Sequence, residues 1–438
     1  MESLALISQM VWFLRICLKN SFVWDGDCIL KKIVVTGIGV VSPIGIGKEE
    51  FTQALKSGKS GIDNVTYFDV SNVKSKLGCL VEEFNINCID KDFLKNSDGL
   101  ELNEHSFMFA LYAVLQALSD AQIDLTKYDK NRVSINMGAS LAGNNFVEYY
   151  IRSIRNNENP DPKLLMYGVG NIHTFLSRML GVCGIGTTVS TACASGGNSI
   201  GIGFDLIKKG IIDMAIVGGT DCFTSLVHGG FNALQALDQE SCRPFSKNRA
   251  GTILAEGAGV LILEDLKAAI QRNAPIYAEI LGYAISNDAH HITAPDPTGQ
   301  GAVNVMESAI NNSNIHKKDI NYINTHGTGT PTNDSTEVKA IKNLFGEHLS
   351  NVYVNSNKSQ FGHLLAAAGS MEAVATVLQI HHQFISPTIN VKKEDLIDDE
   401  VNFVIEESIS KPIKVGLSNS FGFGGNNTCL VVGKYEKH

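Results

Sequence analysis

Cys193 stands in the stretch VSTACASGG (residues 189–197), after a β-like approach and at the head of a run of small residues. A thiol at the N-terminus of a helix faces unpaired amides and the positive end of the helix dipole. That setting favours thiolate, so Cys193 reads as a nucleophile with a lowered pKa. Ala194, Ser195, Gly196 and Gly197 would let other backbone and a substrate come close. An inert buried cysteine is the ordinary alternative; the strand-to-helix elbow argues against it.

Three more stretches carry reactive types. In NTHGTGTPTND (324–334), His326 ends a strand, and Gly327 and Gly329 open the backbone beside it. Thr328 and Thr330 could bond a ligand or hold the loop. Asp334 and Glu337, three apart, read as a capping box for the next helix. In NSNKSQFGHLLAAAGSMEA (355–373), Lys358 and His363 share a loop, and His363 lies near a helix start, which favours neutral imidazole. Glu372 falls in an apolar helix where a lone charge is costly, so it needs a partner, and Lys358 is the natural one. SNSFGFGGNN (418–427) bears Phe421 and Phe423 on glycines and lacks the Lys-Ser/Thr pair of a phosphate loop. A mobile aromatic gate and a plain turn with two core rings are its two readings.

The elements that must hold these residues alternate. KKIVVTGIGVVSPIG (31–45) is a β-branched strand leaving through a glycine turn, with Ser42 and Pro43 where a dinucleotide fingerprint needs glycine and helix. Residues 106–123 have helical spacing, 132–140 read as a strand, TTVSTAC as strand into helix, and 213–221 as a buried strand. Near Ala274 the pattern restarts with APIYAEILGYAISND and ends with VGLSNSFGFGGNNTCLVV. Strands and helices alternating in two passes imply an α/β protein of two similar layered halves, fused without a low-complexity linker.

Composition narrows the class. The 438 residues are 44% hydrophobic and 18% charged, which suits a large core. A net charge of −9 with no basic stretch argues against nucleic acid as partner. Nine scattered cysteines (17, 28, 79, 88, 183, 193, 222, 242 and 429) show no CxxC spacing. Metal clusters and disulfide frameworks are therefore not expected, and a reducing cytoplasm is. LALISQMVWFLRICL near the N-terminus is too short to span a bilayer and lacks signal-peptide features. Residues 1–30 read as a short amphipathic helix or an extension of little consequence, without stable membrane insertion.

Taken together, TACASG, THGTGTPTND, NKSQFGHLLAAAG and NSFGFGGNN, in this order and spacing, closely resemble the β-ketoacyl–acyl carrier protein synthases. These are decarboxylating condensing enzymes of the thiolase superfamily. The resemblance spans residues 31–432 and implies an α/β, thiolase-like fold with duplicated βαβαβαββ halves in five αβαβα layers. Residues 31–273 would carry the nucleophile and 274–438 the two histidines. Carried over residue by residue, Cys193 would take the acyl chain from a carrier-protein phosphopantetheine. His326 and His363 would bind the malonyl thioester carbonyl. Lys358 would tune His363, anchored by Asp334 and Glu372. Thr328 and Thr330 would hold the pantetheine arm. The amides of Cys193 and Phe423 would form an oxyanion hole, with Phe423 as gate, and Leu141, Phe231 and Gly424 would contact substrate. No metal or redox cofactor is implied. Acyl carrier protein is the implied partner, with a homodimer or a heterodimer with a chain-length factor.

Departures remain. Gln235 stands where the family often has a docking arginine, and residues 156–175 match poorly. Two other functions compete: a non-catalytic chain-length-factor-like partner, which would have lost the nucleophile, and a degradative thiolase, which needs a second cysteine in a late glycine loop. Cys429 lies beyond that loop.

Overall fold

Apolar runs in this chain face two cores at once. In β1 (Ile33–Ser42), β2 (Val133–Gly138), β3 (Gly186–Val189), β4 (Met214–Asp221) and β5 (Gly257–Asp265), nearly every residue outside β3 is buried. On β5, Leu261 and Leu263 enter the central core, whereas Ala258, Val260 and Ile262 enter an outer one. On β4, Ala215 and Val217 divide from Met214 and Ile216 in the same way. A sheet covered on both faces loses the polar alternation of a half-exposed one, hence the unbroken β-branched runs.

The computed structural model describes residues 31–82, 84 and 104–437. The proposed N-terminal extension (1–30) and residues 83 and 85–103 lie outside these. The described residues from Lys32 onward form one compact unit. Its second set of strands is β6 (Ala278–Asn287), β7 (Ile320–Asn324), β8 (Tyr353–Asn355), β9 (Val415–Gly422) and β10 (Asn426–Gly433).

The duplication is visible in pairing. The first set runs β3-β2-β4-β5-β1 and the second β8-β7-β9-β10-β6, the same order by rank. Directions match too: β2 is parallel to β3 and β4, then β4/β5 and β5/β1 are antiparallel. Likewise β7 is parallel to β8 and β9, then β9/β10 and β10/β6 are antiparallel. The sets meet where β1 pairs β6 over Ile33↔Ile280, Val34↔Glu279 and Val35↔Ala278.

Helices complete the layers. α1 (His105–Asp120) covers the first set. Between the sets lie α2 (Ser195–Lys208) and, near the C-terminus, a helix buried along nearly its whole length, Ala368–His382. α3 (Gln300–Asn312) and α4 (Pro331–Phe345) cover the second set, and Ala368–His382 is α5. Ile200, Phe204 and Ile207 of α2 and Met371, Val374 and Leu378 of α5 share the central core. A helix flanked by a sheet on each side needs no polar face. This is the thiolase-like α/β architecture.

The glycines of β1 have a packing reason rather than a nucleotide-binding one. A Cβ on Gly39 would lie 1.8 Å from the Ala113 carbonyl oxygen, so α1 sits directly on the strand. The TTVSTAC strand ends early, at Val189. No helix among the described residues is long and apolar enough to cross a membrane.

Candidate active site

β3 delivers Cys193 through a strained elbow. Ala192 holds φ at 50°, a left-handed conformation that costs a residue with a side chain on the order of 1–3 kcal/mol. Thr191 and Cys193 bridge across it, and α2 begins at Ser195. From the other half, the end of β9 closes on the same spot. A Cβ on Gly422 would meet the Thr191 carbonyl at 2.9 Å and the Cys193 nitrogen at 3.1 Å, which only glycine avoids. The next residue, Phe423, donates its amide to the thiol.

The thiol is not acidified. Burial pushes it up to about 11, and the Lys358 charge and the Phe423 amide only partly oppose this. The helix-terminus expectation is thus corrected: Cys193 is buried, and desolvation outweighs the dipole. A thiol with a raised pKa exposes thiolate only as pH climbs toward that value. Alkylation of Cys193 by iodoacetamide, followed by intact mass, is expected to rise about tenfold per pH unit from pH 7 to 10. A plateau below pH 8 would contradict this.

Three donor atoms, Cys193 Sγ and one ring nitrogen each of His326 and His363, lie within 4.8 Å of one another. The imidazoles stand nearly perpendicular with centroids 5.5 Å apart. Each has its Nδ1 occupied by a donor: the Leu365 amide reaches His363 Nδ1 at 3.0 Å, and Lys358 Nζ reaches His326 Nδ1 at 3.3 Å. Both rings therefore carry their hydrogen on Nε2 and offer two neutral N–H donors. A metal would need those Nε2 lone pairs, so the donor set suits an oxygen ligand better than a cation. Burial, with Lys358 adding to it, holds both imidazoles well below the usual histidine range. For His363 neutrality was expected, but burial rather than a helix end causes it.

Lys358 is fully buried and spends three hydrogens on the His326 carbonyl (2.6 Å), His326 Nδ1 and the Glu372 carboxylate. It therefore bonds His326 directly, and its charge also lowers His363. Burial raises the Glu372 carboxyl to about 7 against the pull of Lys358. Asp334 does not anchor the lysine. Its carboxylate accepts from the amides of Phe245 (2.8 Å) and Gly329 (3.2 Å) and from the Asn333 side chain, because it lies in the first turn of α4 facing the 243–251 segment. Glu337 forms no capping box either. Both its oxygens turn inward, to the amides of His326 (2.9 Å) and Gly327 (2.8 Å), so it holds the histidine loop. The reading of single residues missed this role, although Glu337 shares the apolar stripe of Val338 and Ile341.

A cavity reaches this triad. Thr328, Thr330, Phe231, Phe421 and Phe423 line it together with Thr293 and Pro295. The two threonine hydroxyls bond each other at 2.8 Å. Phe423, 37% exposed, stacks on Phe231 at 5.7 Å, which supports a gate over a core ring. Two carried-over residues lie off this wall. Gly424 ties the loop to the 287–292 segment through Ile292 O and Asn287 Nδ2 (both 2.8 Å). Leu141 does not line the cavity itself but packs against an apolar cluster of Phe223, Leu254 and Leu365 that Phe231 also meets.

Two family models match the chain. The β-ketoacyl synthase N-terminal domain matches residues 30–269 and the C-terminal domain residues 277–392. The chain belongs to the β-ketoacyl synthase family. Among relatives of this β-ketoacyl synthase, 3-oxoacyl-acyl-carrier-protein synthase 2 of Synechocystis sp. is 37% identical over 417 residues, covering 93% of this chain and 99% of that one. The enzyme of the same name from Staphylococcus aureus is 36% identical over 416 residues, with the same coverage. A solved structure described as the ishigamide ketosynthase/chain length factor superposes with TM-score 0.86 and 32% identity, covering 93% of this chain and all of that one. A type II polyketide ketosynthase in complex with its acyl-carrier protein gives TM-score 0.83 and 31% identity, covering 92% and 100%.

Proposed function

We infer that the chain is a 3-oxoacyl-acyl-carrier-protein synthase, condensing a Cys193-bound acyl chain with malonyl-carrier protein in type II fatty-acid or polyketide synthesis. The observation that carries this is the pair of neutral Nε2–H donors converging with the thiol at one cavity. In the first half-reaction the Cys193 sulfur bonds the acyl carbonyl carbon. The pantetheine sulfur leaves with the displaced proton, while the amides of Cys193 and Phe423 hold the oxyanion. In the second, His326 and His363 bind the malonyl thioester oxygen. The carbon–carboxylate bond breaks, carbon dioxide departs, and the electron pair remains as an enolate stabilised by both donors. The enolate carbon then attacks the acyl carbon, and Cys193 leaves as thiolate and regains a proton. Donors fixed before charge develops are worth about 3–4 kcal/mol each.

Substrates would arrive on carrier-protein phosphopantetheine, the arm lying between Thr328, Thr330 and Phe423, with no further cofactor assigned a step. The division into halves at residues 273/274 belongs to the same reading, supported by the repeated strand order. So does a cytoplasmic location, supported by free cysteines among the described residues. A self-sufficient homodimer is the assembly favoured, because the nucleophile and both histidines are present in this chain. The relatives' chain-length factors make a heterodimer the second reading. Offered a panel of acyl-carrier primers plus malonyl-carrier protein, the purified chain alone is expected to release elongated products, read by mass. Silence with every primer would remove the homodimer and call for a partner subunit.

A further inference from the structure

Asp221 closes β4 and is fully buried, yet every hydrogen bond it makes in the structure comes from backbone. One carboxylate oxygen accepts from the amides of Ser140 (3.1 Å) and Leu141 (2.8 Å). The other accepts from the amide of Ala366 (2.9 Å). The first pair belongs to the turn after β2. That turn is also tied by the Glu104 carboxylate to the Gly143 amide (3.0 Å), and by the Cys222 thiol to the Leu141 carbonyl (3.4 Å). The Ala366 amide belongs to the turn after His363, where Leu365 holds a left-handed φ of 54° while giving its own amide to His363 Nδ1. Leu365 belongs to the apolar cluster against which Leu141 packs. A strained residue keeps such a conformation only when its surroundings over-determine it, and here the next amide along is the one pinned by Asp221.

We propose that Asp221 is a positioning residue for the second half-reaction: it fixes the Leu365–Ala366 turn, and through that turn the direction of the His363 Nε2–H. It also joins that turn to the Leu141 turn, so the histidine and this apolar wall move as one piece. This rests on the assignment of His363 made above.

Asp221→Asn separates the two attachments. An amide keeps one acceptor oxygen, which satisfies most donors when facing Ser140 and Leu141. Its NH2 then opposes the Ala366 amide and unhooks the His363 turn alone. Acylation of Cys193, read by intact mass, is expected to stay within about threefold of the parent. Removing the charge also removes one contribution that pushes the Cys193 thiol up. Carbon dioxide release from malonyl-carrier protein is expected to fall about 10- to 100-fold in kcat with little change in KM, as for a catalytic group displaced by a fraction of an ångström to one ångström. Equal loss in both half-reactions, or wild-type decarboxylation, would overturn the proposal. His363→Ala is the control for the reading beneath it: if that variant still decarboxylates, the histidine assignment has failed rather than this one. Should Asp221→Asn not fold, Asp221→Glu keeps both oxygens while shifting them, and the same change in ratio is expected. Failure of both to fold would overturn the proposal by making Asp221 a requirement of the fold alone.

Discussion

Cys193→Ala is expected to hold no acyl group after incubation with acyl-carrier thioester, and to form no condensation product. No second described thiol lines the cavity. Among the described cysteines, Cys79, Cys222, Cys242 and Cys429 are buried away from the cavity, and Cys183 is exposed and outside it. The substitution removes the nucleophile without touching either histidine, so malonyl decarboxylation should survive in part. The expected loss in condensation exceeds about 10³-fold, because covalent catalysis is removed outright. Intact mass of the acyl-enzyme checks the first statement and trapped carbon dioxide the second. An acylated Cys193→Ala protein would end the nucleophile assignment.

Lys358→Met is expected to be the most damaging change outside the thiol. It deletes the donor to the His326 carbonyl, the donor that sets the His326 tautomer and the cation facing Glu372. Breaking a buried ion pair by removing one member costs about 3–5 kcal/mol, since the other charge is left uncompensated. Glu372 already has its carboxyl raised to about 7 and would take up a proton to limit that cost. Loss of one preorganised N–H donor should cut decarboxylation by about 10²- to 10³-fold. The two effects separate in the double variant Lys358→Met, Glu372→Gln. No charge is then buried alone, so thermal stability should largely return while activity does not. Activity that returned with stability would make Lys358 a fold element only.

Much of this was legible beforehand, and the boundary has a physical meaning. The α/β layering followed from periodicity, and the four motif stretches converge because each lies where a strand ends in a glycine loop. Pairing partners were less legible. The Lys358–Glu372 pair could be guessed because an apolar helix leaves a carboxylate no other choice. Asp334 and Glu337 were misread because a capping box is a local pattern, whereas both carboxylates bond amides on segments that folding brings to α4. The thiol pKa failed for a related reason: sequence position gives the helix end, but burial is a property of everything packed around it. Asp221 carried no signal, since its partners are all backbone.

The seam between the two strand sets has a consequence for synthesis on the ribosome. When the first set emerges, the Ile33–Val35 edge of β1 has no neighbour, and the apolar side of α2 has no α5 to meet. Ile33 pairs Ile280, made 247 residues later, and α5 begins 160 residues after α2 ends. An open strand edge beside exposed aliphatic surface is what nascent-chain chaperones bind and what pairs wrongly between neighbouring polysomal chains. The duplicated architecture therefore leaves each growing chain with a long interval in which its first half is sticky and its catalytic cysteine has no histidines to serve.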